Sequence, residues 1–171
     1  MKITLTNYNL VVEKAKASFE KYAKVSQNGS GRYRHNTIDG VLVGLKCEAA
    51  THQFLTSNGI AAILTNSDKQ SDILFKNLKI EVKGLRVQQW DKFKRCIPPK
   101  QLEFYARQKA LVVWGVTDVS SSNDEVTLKG WNFAQDLIDK GVFRKTICDN
   151  VWLEHDSDMR NLSELIDFMR M

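Results

Sequence analysis

The sequence predicts an α/β fold, a central mixed sheet flanked by helices, with an additional helix at the N-terminal end and a helical addition at the C-terminal end. Three observations lead there. Between residues 37 and 131, helix-period segments and short apolar runs follow one another as helix, strand, strand, strand, helix, strand, strand. Leu111-Val112-Val113-Trp114-Gly115-Val116 is apolar without a break, as expected of a strand covered on both faces. Two short apolar runs, Ile73–Phe75 and Leu78–Val82, flank Lys76-Asn77 and predict a β-hairpin. At 171 residues the chain fits one domain spanning 1–171, long enough to bury a sizeable core.

The first helix is predicted over residues 7–27, where Tyr8, Val11, Val12, Ala15, Phe19, Tyr22 and Ala23 form one apolar stripe and Thr6 or Asn7 serves as N-cap. Lys14, Lys16, Lys21 and Lys24 decorate its other faces, as solvated surface or as phosphate contacts. A loop of Gly and Ser follows and ends in Arg32, Tyr33, Arg34 and His35, which suit phosphate or base contacts or a plain surface loop. The second helix runs from about Thr37 to Ser57, with Ile38, Val41, Leu42, Leu45 and Ala49 at helical spacing and Gly59 as its stop. Gly40, Gly44, Glu48 and His52 recur every four residues along one line of it, where two glycines allow another backbone to come close.

Ile60–Thr65 reads as a short strand, and the hairpin follows. The connection after it is charged and aromatic, carrying Arg86, Gln88, Trp90, Lys92, Lys94 and Arg95. Pro98-Pro99 sets the start of a third helix, Lys100–Gln108. Beyond the apolar run 111–116, Glu125–Trp131 is a further strand, and Asn132 caps a short helix, Phe133–Lys140, stopped by Gly141. Val151–Glu154 and a helix from about Met159 to Met169 form an acidic end layer. Glu154-His155-Asp156-Ser157-Asp158 matches no calcium-loop spacing and reads as a loop and helix cap.

Composition narrows the function classes. No apolar run approaches the roughly 20 residues of a membrane span, and the first ten residues lack the apolar stretch of a signal peptide. A cytoplasmic protein without a membrane partner is expected. Cys47, Cys96 and Cys148 are odd in number and far apart, which suits reduced thiols rather than a disulfide framework or a Cys-x-x-Cys metal site. The net charge of +5 is uneven: residues 1–119 hold 19 Lys and Arg against 10 Asp and Glu, residues 120–171 hold 6 against 10. A basic part of this kind is the electrostatic footprint of a polyanion binder, and it contains the hairpin.

With a two-residue turn at Lys76-Asn77, hairpin residues whose numbers sum to 153 lie opposite each other, so Asp72 faces Glu81. Lys83 lies two residues further on the same face, about 7 Å along the strand. Two carboxylates side by side repel, and a cation or a shared proton normally justifies such a pair. A charged, solvated strand face is the alternative reading of these residues taken alone.

Asp72-x8-Glu81-x-Lys83 resembles the active-site hairpin of the PD-(D/E)xK nuclease superfamily, the restriction-endonuclease-like fold. Gln101-Leu102-Glu103-Phe104-Tyr105 resembles the Gln-x-x-x-Tyr motif that follows Glu-x-Lys in RecB-like members. The element order from 37 to 131 is similar to the αβββαβ core of that superfamily, leaving 1–36 and 132–171 as additions. Ser71 rather than proline precedes Asp72, and the four cysteines of the iron–sulfur branch are absent. The resemblance implies Mg²⁺, with Mn²⁺ as a possible substitute, held by Asp72, Glu81 and the Val82 carbonyl, and by Glu48 through water. It implies that Lys83 orients the nucleophile, with Gln101 helping to position it. Arg32, Tyr33, Arg34, His35, Arg86, Gln88, Lys92, Lys94 and Arg95 are the candidate contacts to double-stranded DNA. The activity it implies is a site-specific DNA endonuclease of restriction or homing type, working as a homodimer or higher oligomer because cutting two strands needs two sites. A structure-specific resolvase of branched DNA, a non-catalytic DNA-binding module on a nuclease fold and an α/β interaction protein are the alternatives.

Overall fold

In the computed structural model of the chain, residues 1–27, 37–65, 71–93, 96–119, 124–145, 149–153 and 155–171 are described. Six strands form a mixed, curled sheet of half-barrel shape packed with helices. Its order is β1 (Lys2–Thr4), β7 (Glu125–Phe133), β6 (Leu111–Thr117), β4 (Leu78–Arg86), β3 (Ile73–Phe75) and β2 (Ile63–Leu64). Only β4 and β6 run parallel; every other neighbouring pair is antiparallel. The crossover between these two central strands carries a short helix α3 (Trp90–Phe93), a two-residue strand β5 (Cys96–Ile97) and helix α4 (Pro99–Arg107). The unbroken apolar run is β6, buried at all seven positions because both faces of the sheet are covered.

Alternation along the central strands sends side chains to two cores. Ile80, Val82, Leu111 and Val113 join Cys47, Ala50 and Phe54 of helix α2 (Ile38–Ser57) and Leu162, Leu165, Ile166 and Met169 on one face. Val112, Trp114 and Val116 face the other way, against Leu102 and Tyr105 of α4 and Leu137 of helix α5 (Ala134–Lys140). Helix α1 (Tyr8–Gln27) packs against α2. Helix α6 (Leu162–Arg170) buries Leu162, Leu165, Ile166 and Met169, a single amphipathic stripe. Among the described residues, no helix is long and apolar enough to cross a membrane.

Several expectations change in detail. Of the stripe predicted for α2 only Val41 is buried, and Ile38 is exposed; the buried positions are Val41, Val43, Lys46, Cys47, Ala50, Thr51, Phe54 and Leu55, because α1 and the sheet cover the helix from two sides. The predicted close approach at the helix glycines does not occur at Gly44, where an added Cβ would meet nothing. It occurs on the strands instead, where Gly84 and Gly115 let Cys47 sit 3.0 and 2.8 Å from where their Cβ atoms would be. The strand expected over Ile60–Thr65 shrinks to two residues, since the Ile60 N–H is spent on the Leu55 carbonyl in closing α2, with Gly59 left-handed at φ 79°. Asn132 is not a cap. It lies in β7, fully buried, accepting from the Trp114 indole and donating to the Asp158 carbonyl. The last helix starts three residues later than expected, because Arg160 is held by paired backbone bonds to Trp131. A second sheet, β5 with β9 (Asp149–Trp152) and β8 (Val142–Lys145), and the edge strand β1 carried no sequence signal that separates them from loop. At the segment Glu154–Asp158, the described part is a turn of 3-10 helix, Asp156–Asp158, whose Asp158 carboxylate accepts from the His155 N–H.

Candidate active site

The hairpin register is the one the turn dictates. Phe75 lies opposite Leu78, Leu74 opposite Lys79 and Ile73 opposite Ile80, so the next pair outward is Asp72 and Glu81. Lys76 supplies the turn with a left-handed backbone, φ 52°. The β3–β4 ladder stops at Ile73, and the Asp72 carboxylate takes over its role, accepting the Val82 N–H at 2.7 Å. A strand residue's N–H and C=O leave on the same side, so the Val82 carbonyl also opens toward Asp72.

Odd-numbered β4 residues face α4. Lys79 donates to the Gln108 side chain at 2.6 Å, just past the end of that helix. Glu81, only 8% exposed, accepts from the Ser71 and Tyr105 hydroxyls. Lys83 donates to the Tyr105 phenol at 2.8 Å, with its Nζ 4.9 Å from the ring centroid. Gln101, one turn before Tyr105 on the same helix, is hydrogen-bonded to that phenol too.

Glu48 reaches the same place from α2. Burial, then the charge of Asp72, pushes its carboxyl up to about 7, against the pull of Lys14 and Lys83. Burial raises Asp72, and the Val82 N–H, Lys83 and Lys14 partly offset it. Burial and then Asp72 raise Glu81, with Lys83, Tyr105 and Ser71 opposing. The three carboxyls thus repel one another in a poorly hydrated setting with two lysines beside them. Since the folded chain holds the Glu48 proton up to about 7 and the unfolded chain releases it near 4.5, folding binds protons between these values. Stability therefore falls as pH rises through that window, and Asp72 and Glu81 push the same way. In chelator, Tm should drop over this range, and Glu48→Gln should flatten the drop; an unchanged pH dependence in that variant would contradict the burial of Glu48.

The donors fit a hard divalent cation, all of them being carboxylate or carbonyl oxygen. As they stand they are not gathered into a chelate: among the described residues, no three His, Cys, Asp or Glu side chains are arranged to hold a metal ion. Asp72, Glu81 and Val82 lie together on the hairpin, and Glu48 faces them. No protein-family model matches the chain, and no curated protein and no solved structure matches it.

The remaining candidates are more scattered. Arg86 pairs with Asp39 at the start of α2, at 3.3 Å. Gln88 is exposed in the 3-10 turn Val87–Gln89, and Lys92 is exposed on α3. Arg32, Tyr33, Arg34, His35, Lys94 and Arg95 lie outside the described residues. His52, on the line of Glu48, is hydrogen-bonded to the Ala62 carbonyl. Sequence reasoning passed over Tyr105, Ser71 and Lys14. Tyr105 was visible as the last residue of Gln-x-x-x-Tyr; Lys14 had no signal, because only the packing of α1 on α2 brings it to the site.

Proposed function

We propose that the chain is a divalent-metal-dependent DNA endonuclease that hydrolyses phosphodiester bonds in double-stranded DNA at specific sites, with the PD-(D/E)xK arrangement as its active site. The observation that carries this reading is the convergence of Asp72, Glu81 and Lys83 on one hairpin, with Glu81 buried and its carboxyl raised by burial and by the charge of Asp72. A solvated charged face would not bury Glu81 or bond it to two hydroxyls. Asp72, Glu81 and the Val82 carbonyl would hold Mg²⁺ or Mn²⁺, and Glu48 would support it through water. A bound divalent ion acidifies a coordinated water and stabilises negative charge on the scissile phosphate. Lys83 orients the attacking water and neutralises developing charge, while Asp72 and Glu81 would set where the cation, and hence the scissile phosphate, stands. The basic part of the chain supplies phosphate contacts, so binding weakens steeply as salt rises. One such site per chain cuts one strand, and a homodimer or higher oligomer would present two.

The test is incubation of plasmid, linear duplex and synthetic four-way junctions with Mg²⁺ and then with chelator. Discrete fragments from linear duplex, abolished by chelator, are expected. Cutting confined to junctions would replace the site-specific reading with a resolvase. Binding without cutting would leave a DNA-binding module, and neither binding nor cutting at low salt would overturn the nucleic-acid reading.

A further inference from the structure

We propose that Tyr105 is a positioning residue of this site: its single phenol oxygen takes the Lys83 amine and sets where that group stands. The tie stands on the geometry; its consequence for cleavage rests on the nuclease reading above.

Glu81 and Lys83 are two residues apart on one strand face, so their Cα atoms are separated by about 7 Å. A lysine amine on such a face is held in place only by an acceptor, and a phenol oxygen supplies one. The Tyr105 oxygen takes the Lys83 Nζ at 2.8 Å, and the Glu81 carboxylate and the Gln101 side chain act on the same phenol. The ring cannot swing away, because it is 5% exposed and lies in the apolar cluster with Leu102, Ala110, Val112 and Trp114. The Lys83 Nζ lies 4.9 Å from the centroid of that ring, so the fixed ring and its oxygen together define where the amine sits. Helix α4 is fixed over the same strand face by the Lys79–Gln108 bond. The helix thereby dictates the Lys83 position through one atom. A tyrosine serving only the core would have no need of that oxygen, and phenylalanine would replace it without loss.

Tyr105→Phe removes the oxygen and keeps the packing. With Mg²⁺ and DNA, kcat should fall about tenfold to a hundredfold, the usual range for a partner that orients a site group, with KM for DNA unchanged. In a Lys83→Ala background the same substitution should add nothing, because Tyr105 acts through Lys83. A readout free of metal and activity accompanies this: the side-chain ¹⁵N–¹H signal of Lys83, assigned by its loss in Lys83→Ala, should be present in the metal-free protein at low temperature and lost in Tyr105→Phe. Unchanged kcat with an unchanged Lys83 signal would overturn the proposal, as would effects on kcat that simply add in the double variant. A Lys83 signal that depends on Tyr105 in a protein that cuts no nucleic acid would support the tie and overturn the nuclease reading instead.

Discussion

Asp72→Asn should leave a protein that folds and binds DNA but no longer cuts it. The amide oxygen still accepts the Val82 N–H that the carboxylate now takes at 2.7 Å, so the end of the hairpin keeps its anchor. What disappears is the negative charge that Glu48 and Glu81 feel. Tm in chelator should therefore rise above wild type, and DNA should bind as tightly or more tightly, since one repulsive charge is gone from the site. Cleavage should fall by about a thousandfold or more. A bound metal contributes several kcal/mol to the transition state, and about 4 kcal/mol corresponds to roughly three decades of rate. Plasmid nicking, thermal denaturation and filter binding on one preparation check all three. Joint loss of cleavage, binding and stability would point to misfolding and remove Asp72 from the account.

Trp114→Ala should give the largest loss of stability. Its side chain is 1% exposed between β6 and the α4 layer, and its indole N–H donates at 3.0 Å to Asn132, itself fully buried. Truncation leaves a cavity of aromatic size, at a cost of about 3–5 kcal/mol. It also strands the Asn132 oxygen without that donor, a further penalty of about 1–3 kcal/mol. For a chain of this length, Tm should fall by roughly 10 °C or more. Trp114→Phe separates the two effects, keeping most of the packing and losing the hydrogen bond. Because Trp114 lies beside Lys83 in the β4–β6 register, the Ala variant should also impair cleavage in whatever fraction stays folded.

What was legible in the sequence was what short-range rules control. The turn at Lys76-Asn77 fixes the hairpin register, and the register alone brings Asp72 opposite Glu81. The unbroken apolar run at 111–116 announced a strand with both faces covered, and β6 is one. Glu48 was singled out by the resemblance, not by its four-residue repeat, and the charges of Asp72 and Glu81 do reach it, although Gly44 on the same line lacks the role foreseen for it. The rest depends on tertiary packing. Lys46 would be placed on the polar side of a helix by any pattern rule. It is fully buried all the same, its amine donating to the Asp118 carbonyl at 2.9 Å and lying 5.4 Å from the Tyr8 ring. The strands of the second sheet have two to four residues, too few to show an alternation. Tyr105 combines a core ring with a polar tip, and only coordinates tell whether such a tip is spent on a site or on water.

A titration of Mn²⁺ into the DNA-free protein, with free ion followed by electron paramagnetic resonance, shows whether the hairpin holds a divalent ion. Saturable uptake is expected, competed by Mg²⁺ and lost in both Asp72→Asn and Glu81→Gln while those variants stay folded. No uptake by the wild type, or uptake that neither substitution disturbs, would contradict a metal site at the hairpin.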